Sequence, residues 1–194
     1  MKLLSDGKAS AIIKDKRIVF IDNDFLSLIY HDADLLKETV ALLAGKQVYL
    51  YPFTEFEFLR DVFAPQQRVL KEKFIAQSLF GHIKEDYHMK FLPKFLKNSL
   101  LLSKIYAHQG GNNRKNASSF VDLLLASILM YLTDKSILIT GNKKDFPSCV
   151  FDILSVLNTE QEDGHMKAIC LIGFNQRKFD SCYKRLDDLE KKIV

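Results

Sequence analysis

The chain is expected to fold as an α/β protein, with a central, mostly parallel sheet of about five strands and helices on both faces. Three observations point there. Short apolar, β-branched runs alternate with longer stretches of helical periodicity. Such alternation is the pattern of a parallel sheet whose crossovers cover both of its faces. The chain has 194 residues, 47% of them hydrophobic, with 8 Gly and 4 Pro, enough for one full core and too little for two.

Taken in order, residues 1–16 read as an N-terminal arm, and 17–194 as a single domain with a helical insertion around 63–110. RIVFI at 17–21 is a buried strand by composition. Phe25, Leu28, Ile29, Leu35, Leu36, Val40 and Leu43 recur at three- and four-residue steps and predict a helix that stops at Gly45. QVYLY at 47–51 reads as a second strand, Thr54 opens a helix, and Pro65 starts another. Residues 88–107 predict a helix with Pro93 near its start or at a kink, followed by the loop GGNNRKN at 110–116. A very apolar helix spans 119–133. Strands follow at 136–140 (SILIT), 149–156 and 168–173, and a charged amphipathic helix covers 175–192.

Composition excludes several classes. Neither turn formers nor net charge dominate, which argues against collagenous or disordered chains. No run approaches the roughly 18 apolar residues of a transmembrane helix, and the start, MKLLSDGKAS, lacks a signal-peptide core. Cys149, Cys170 and Cys182 are odd in number and lack metal spacing, so the expected location is a reducing cytoplasm. His31, His82, His88, His108 and His165 show no zinc spacing and read as surface or packing residues. The net charge of +4, at pI about 8.8, permits nucleic acid without arguing for it.

In parallel sheets, ligands bind beyond the carboxyl ends of the strands. Acids gather at just those places. Asp22 and Asp24 follow the first strand, Glu57 follows the second, Asp122 opens the apolar helix, and Asp145 follows SILIT. Each has a plainer reading as a cap: Asp22 or Asp24 for the first helix, Thr54-x-x-Glu57 and Ser119-x-x-Asp122 as capping boxes, Asp145 before Pro147. Two features favour a site. Asp122 is the one charge between Ser118 and Thr133, and Asp22 follows four apolar residues of a central strand. Buried carboxylates need partners, and a divalent cation removes their mutual repulsion. All-oxygen donors favour Mg²⁺ or Mn²⁺ over zinc.

Four pieces in order, IVFIDNDFLSLIY, TEFEFLRD, SSFVDLLLASILMYL and ILITGNKKDF, resemble a PIN-domain ribonuclease of the toxin-type or a related branch. The resemblance covers about residues 17–150. It implies a three-layer α/β/α sandwich and a Mg²⁺- or Mn²⁺-dependent endoribonuclease that hydrolyses RNA phosphodiester bonds. Asp22, Glu57, Asp122 and Asp145 would be the catalytic, metal-holding acids, with one or two ions. Thr140 and Asn142 would be supporting polar groups, and Asp24 a cap or a group behind the ligands. Many relatives carry an acid where this chain has Asn142. For a toxin, the resemblance implies an antitoxin that blocks the acidic pocket, and often a homodimer.

RNA would approach along a basic stretch. From His88 to Ser119 there is no acid, while Lys90, Lys94, Lys97, Lys104, Arg114 and Lys115 supply positive charge. Lys94, Lys97, Lys104, Arg114 and Lys115 are the candidate RNA contacts, and the plainer reading is a solvated helix face. Two other functions compete. Asp22-x-Asp24 also resembles the opening of haloacid-dehalogenase-type phosphatases, with Asp22 as nucleophile. A PIN-like fold kept as an inactive binding module is the other.

Overall fold

The computed structural model describes residues 2–4, 7–60, 64–110, 118–160 and 166–193. Arg114, Lys115 and His165 therefore lie outside the described residues, as does most of the expected 110–116 loop. In chain order the elements are β1 (Lys2–Leu4), α1 (Lys8–Asp15), β2 (Ile18–Ile21), α2 (Asn23–His31), α3 (Ala33–Leu42), β3 (Gln47–Leu50), α4 (Pro52–Arg60) and α5 (Pro65–Ile75). There follow β4 (Phe80–His82), α6 (Glu85–Gly110), α7 (Phe120–Leu132), β5 (Ser136–Thr140), β6 (Phe151–Glu160), β7 (Met166–Phe174) and α8 (Gln176–Ile193).

The seven strands form one sheet in the order β1-β6-β7-β5-β2-β3-β4. The β4-β3-β2-β5 half is parallel, and β7 pairs antiparallel with both β5 and β6. Alternation along each strand sends side chains to two cores. Phe20, Leu138 and Ile172 join the buried side chains of α6, α7 and α8 on one face. Val19, Ile21, Ile137, Ile139 and Leu171 meet those of α1 to α5 on the other. The architecture is thus helix–sheet–helix in layers.

Several expectations need correction. Among the described residues the sheet has seven strands rather than about five, and its β6–β7 part is an antiparallel hairpin. Only residues 161–165 separate the two strands, far short of the dozen or more residues of a parallel crossover. The N-terminal arm is part of the domain. Its β1 pairs with β6, and Ala9 and Ile13 of α1 are fully buried. The insertion is not purely helical, since it carries the edge strand β4. The helix expected through 25–43 is two helices. Asp32 takes an extended conformation and caps α3, its Oδ1 accepting the Leu35 N–H at 2.8 Å, an interaction worth about 1 kcal/mol. Gly45, with φ of +75°, turns the chain toward β3 in a conformation that suits glycine. Among the described residues no helix is long and apolar enough to cross a membrane.

Candidate functional site

The carboxyl ends of β2 and β5 are adjacent because the two strands pair in parallel, Ile21 opposite Ile139. Asp22 leaves β2 as the N-cap of α2, its Oδ1 accepting the Phe25 N–H at 2.9 Å. Its Oδ2 accepts from the Thr140 hydroxyl at the end of β5. The same Thr140 oxygen accepts the backbone N–H of Asn142 at 2.9 Å. Thr140 therefore ties the β5 loop to the β2 carboxylate. Asp22 is only 4% exposed. Burial pushes its pKa up to about 8, against the hydrogen bonds from Thr140 and Phe25; Asp24 and Asp122 add to the rise.

Asp122 enters from α7. Ser119 and Asp122 form a full capping box: Ser119 Oγ accepts the Asp122 N–H at 3.1 Å, and Asp122 Oδ2 accepts the Ser119 N–H at 3.0 Å. The plainer reading of this pair is therefore realised, yet the same carboxylate lines the acidic cavity. Burial raises its pKa as well, with Asp24 adding a smaller push. Glu57 is different. Helix α4 starts at Pro52, where the missing N–H costs nothing. Thr54 thus sits inside the helix, fully buried with an unpartnered hydroxyl, and cannot form a capping box with Glu57. Asp145 closes a short 3-10 turn, and its Oδ2 accepts from the Asn142 side-chain amide. The Ser118 hydroxyl donates to its backbone carbonyl at 3.3 Å.

These side chains line one cavity of about 320 Å³, walled by Asp22, Asn23, Asp24, Glu57, Arg60, Ser119, Asp122, Leu125, Asn142 and Asp145. All four acids named from the sequence are there, together with Asp24 and Asn142. Sequence reasoning missed Arg60, three residues past Glu57 and so on the same helical side; that spacing could have found it. It also missed Lys167. A Cβ placed on Gly141 would stand 3.4 Å from Lys167 Cε and 3.5 Å from Asp24 Cβ, so the β7 lysine reaches the rim beside Asp24. No local signal in β7 marks it, because only the antiparallel β5–β7 pairing brings it there.

The donor set suits a hard cation: carboxylates with hydroxyl and amide oxygens nearby, one carboxyl buried and driven toward its neutral form. Among the described residues no three acid, histidine or cysteine side chains stand ready to share one ion. Burial is the main cause of the raised pKa of Asp22 and Asp122, and the facing like charges, with no counterion between them, add a smaller push in the same direction.

The cations of α6 divide. Phe95 accepts from Ser127 Oγ at 2.9 Å, and Ser99 Oγ donates to the Leu123 carbonyl at 3.0 Å, so α6 runs antiparallel to α7. Extending this register sets Lys104 level with Ser118, at the acidic end. Lys94 instead lies over the Tyr131 ring, 4.3 Å from its centre, at the other end of α7. Lys97 is exposed between them.

Thr140→Val keeps shape and removes the hydroxyl that serves both Asp22 and Asn142. Urea denaturation should show a loss of about 1–3 kcal/mol, larger at pH 9 than at pH 6. Above pH 8 the lost bond was to an ionised carboxylate, and such bonds are the stronger ones.

No protein-family model, no curated protein and no solved structure matches this chain. The class defined by fold and site is an α/β/α protein with an acidic cavity at the carboxyl edge of its sheet.

Proposed function

We propose that the chain is a metal-dependent endoribonuclease of the PIN kind, acting in the cytoplasm. One observation carries the reading: four acids from four separate elements line a single cavity, and the most buried of them is held near neutrality by burial. Asp22 is the central ligand for Mg²⁺ or Mn²⁺, with Asp122, Glu57 and Asp145 completing the oxygen set. A bound divalent ion supplies a water of lowered pKa and neutralises charge on the phosphoryl oxygens. The chain's own groups do the rest. Thr140 and the Phe25 N–H hold the Asp22 carboxylate in one orientation. The Asn142 amide holds Asp145; where many relatives of this kind carry an acid, Asn142 adds no charge and acts by positioning. Arg60 and Lys167 stand where a phosphodiester would meet the cavity. No side chain is required as a covalent nucleophile. A haloacid-dehalogenase-type phosphatase would leave Glu57 and Asp122 without a role in the cavity they line. For the toxin form of the reading, an antitoxin would cover this cavity, and a homodimer would be the expected assembly.

The test is cleavage of single-stranded RNA with Mn²⁺ or Mg²⁺ by the wild type and by Asp22→Asn. Binding of Mn²⁺ by calorimetry, without cleavage of any RNA, would favour a binding module instead. RNA affinity should also be salt-dependent, with log K falling by about 0.7 per phosphate neutralised along log salt. Replacing Lys94, Lys97 and Lys104 by Gln should flatten that slope; an unchanged slope would leave them as a solvated face.

A further inference from the structure

A second cavity, of about 370 Å³, lies against the β2–β3 strands under α6 and α7. Its volume falls within the range of small-ligand sites, roughly 300–1,000 Å³. Its walls are mainly aromatic and include Tyr49, Tyr51, Tyr87, His88, Phe95 and Tyr131. Two of these residues carry polar atoms that are buried without a partner, the Tyr51 hydroxyl and His88 Nδ1. Tyr51 is 0% exposed and His88 7%. Unsatisfied buried polar groups cost about 1–3 kcal/mol each, so a native fold that keeps two in one cavity wall invites a ligand that pairs with them. Burial also lowers the His88 pKa, which keeps the imidazole neutral, with one nitrogen donating and the other accepting. Two cations mark this cavity. Lys84 lines it, and Lys94 lies over Tyr131, one of its wall rings. The cavity is joined to the acidic site by rings: Phe53 contacts His88 at 5.6 Å and Phe120 at 6.2 Å. Phe120 is 54% exposed and follows Ser119 of the acidic wall.

We propose that this aromatic cavity receives one unstacked nucleobase of the RNA, with the Tyr51 hydroxyl and His88 Nδ1 meeting its polar edge and Lys84 and Lys94 its phosphate. Flat aromatic walls suit any base face, and an adjacent hydroxyl and imidazole can pair with a donor–acceptor edge. The exposed Phe120 ring then bridges the bound base and the scissile phosphate. The nature of the ligand rests on the ribonuclease reading; the cavity and its two unpartnered atoms do not.

The experiment titrates the four nucleoside 5′-monophosphates into the full chain without divalent metal, read by calorimetry and by shifts of His ring protons in NMR. Wild type and Asp22→Asn should bind at least one of them alike. Tyr51→Phe should weaken that binding about tenfold or more, and Lys84→Gln should weaken it too. Because Tyr51→Phe removes an unpartnered buried hydroxyl, its melting temperature without ligand should equal or exceed that of wild type, which separates lost binding from lost folding. Absence of binding by wild type, or Tyr51→Phe binding unchanged, overturns the proposal. If the monophosphates bind as described but wild type cuts no RNA, the ribonuclease reading fails and the cavity assignment stands. If RNA is cut and Tyr51→Phe leaves KM unchanged, the cavity assignment fails alone.

Discussion

Asp22→Asn should reduce metal-dependent RNA cleavage by on the order of a thousand-fold, the scale seen when one preorganised electrostatic group is lost from a reaction centre. The fold should survive the change. Asp22 caps α2 through Oδ1 and the Phe25 N–H, and Asn is as good an N-cap as Asp. With Oδ1 kept on the Phe25 N–H, the Asn amide NH₂ takes the place of Oδ2 and donates to the Thr140 hydroxyl instead of accepting from it. What it lacks is the charge a cation needs. Equal rates for the purified variant and wild type would remove Asp22 from the centre of the site. Circular dichroism and melting temperature would show whether a loss is chemical or structural.

The second large effect is on stability as a function of pH and metal. Asp22 has its pKa raised from 3.8 to about 8 by burial, with further pushes from Asp24 and Asp122. Between those values the folded state holds a proton that the unfolded state has released. Stability therefore falls as pH rises through this window, with the loss complete above about 8. The direction is opposite to that of a salt-bridged carboxylate, whose contribution is lost in acid. The total amplitude is on the order of a few kcal/mol. Denaturation in the presence of chelator from pH 5 to pH 9 should show the decline, and Asp22→Asn should flatten it. Mn²⁺ binds the ionised form, so at pH 8 it should raise stability by about 2.7 kcal/mol when present at a hundred times its Kd. The same metal at pH 5 should do much less. A metal effect independent of pH, or an unchanged slope in Asp22→Asn, would show that the buried carboxyl is not the binding group.

The two experiments bear on each other through Asp122. Its carboxylate is committed to the Ser119 box and is also raised in pKa by burial. Ser119→Ala would loosen it without removing it, so a graded loss of metal binding there and a full loss in Asp22→Asn would mark the difference between a central ligand and an adjustable one.

Much of the site could be read along the chain because its residues sit at element boundaries, and boundaries leave local signals. A strand of β-branched residues ending in Asp22, SILIT ending in Thr140, and a helix with Asp122 as its one charge are each visible without a third dimension. The parallel half of the sheet was legible for the same reason. Short-range patterns misled where a single residue had to decide. The run from Phe25 to Leu43 keeps helical periodicity, and only the extended backbone at Asp32 divides it into two helices. The strand β4 is three residues long with a central Gly81, too short for any periodicity to register. Glu57 read as a capping partner of Thr54 until the helix start moved to Pro52.

Taken alone, the sequence determined the alternation of strands and helices, the central place of β2, and the four acids at element boundaries, because hydrophobic period and the position of a charge after a strand are properties of neighbours along the chain. The tertiary structure decided what those acids meet. It paired β5 with β7 and so brought Lys167 beside Asp24, laid Thr140 against Asp22, raised the Asp22 pKa by closing the cavity around it, and buried the Tyr51 hydroxyl and His88 Nδ1 in an aromatic wall without hydrogen-bond partners. Burial and electrostatic coupling depend on distances between residues far apart in the chain, such as Asp22 and Thr140, and those distances exist only once the sheet has formed.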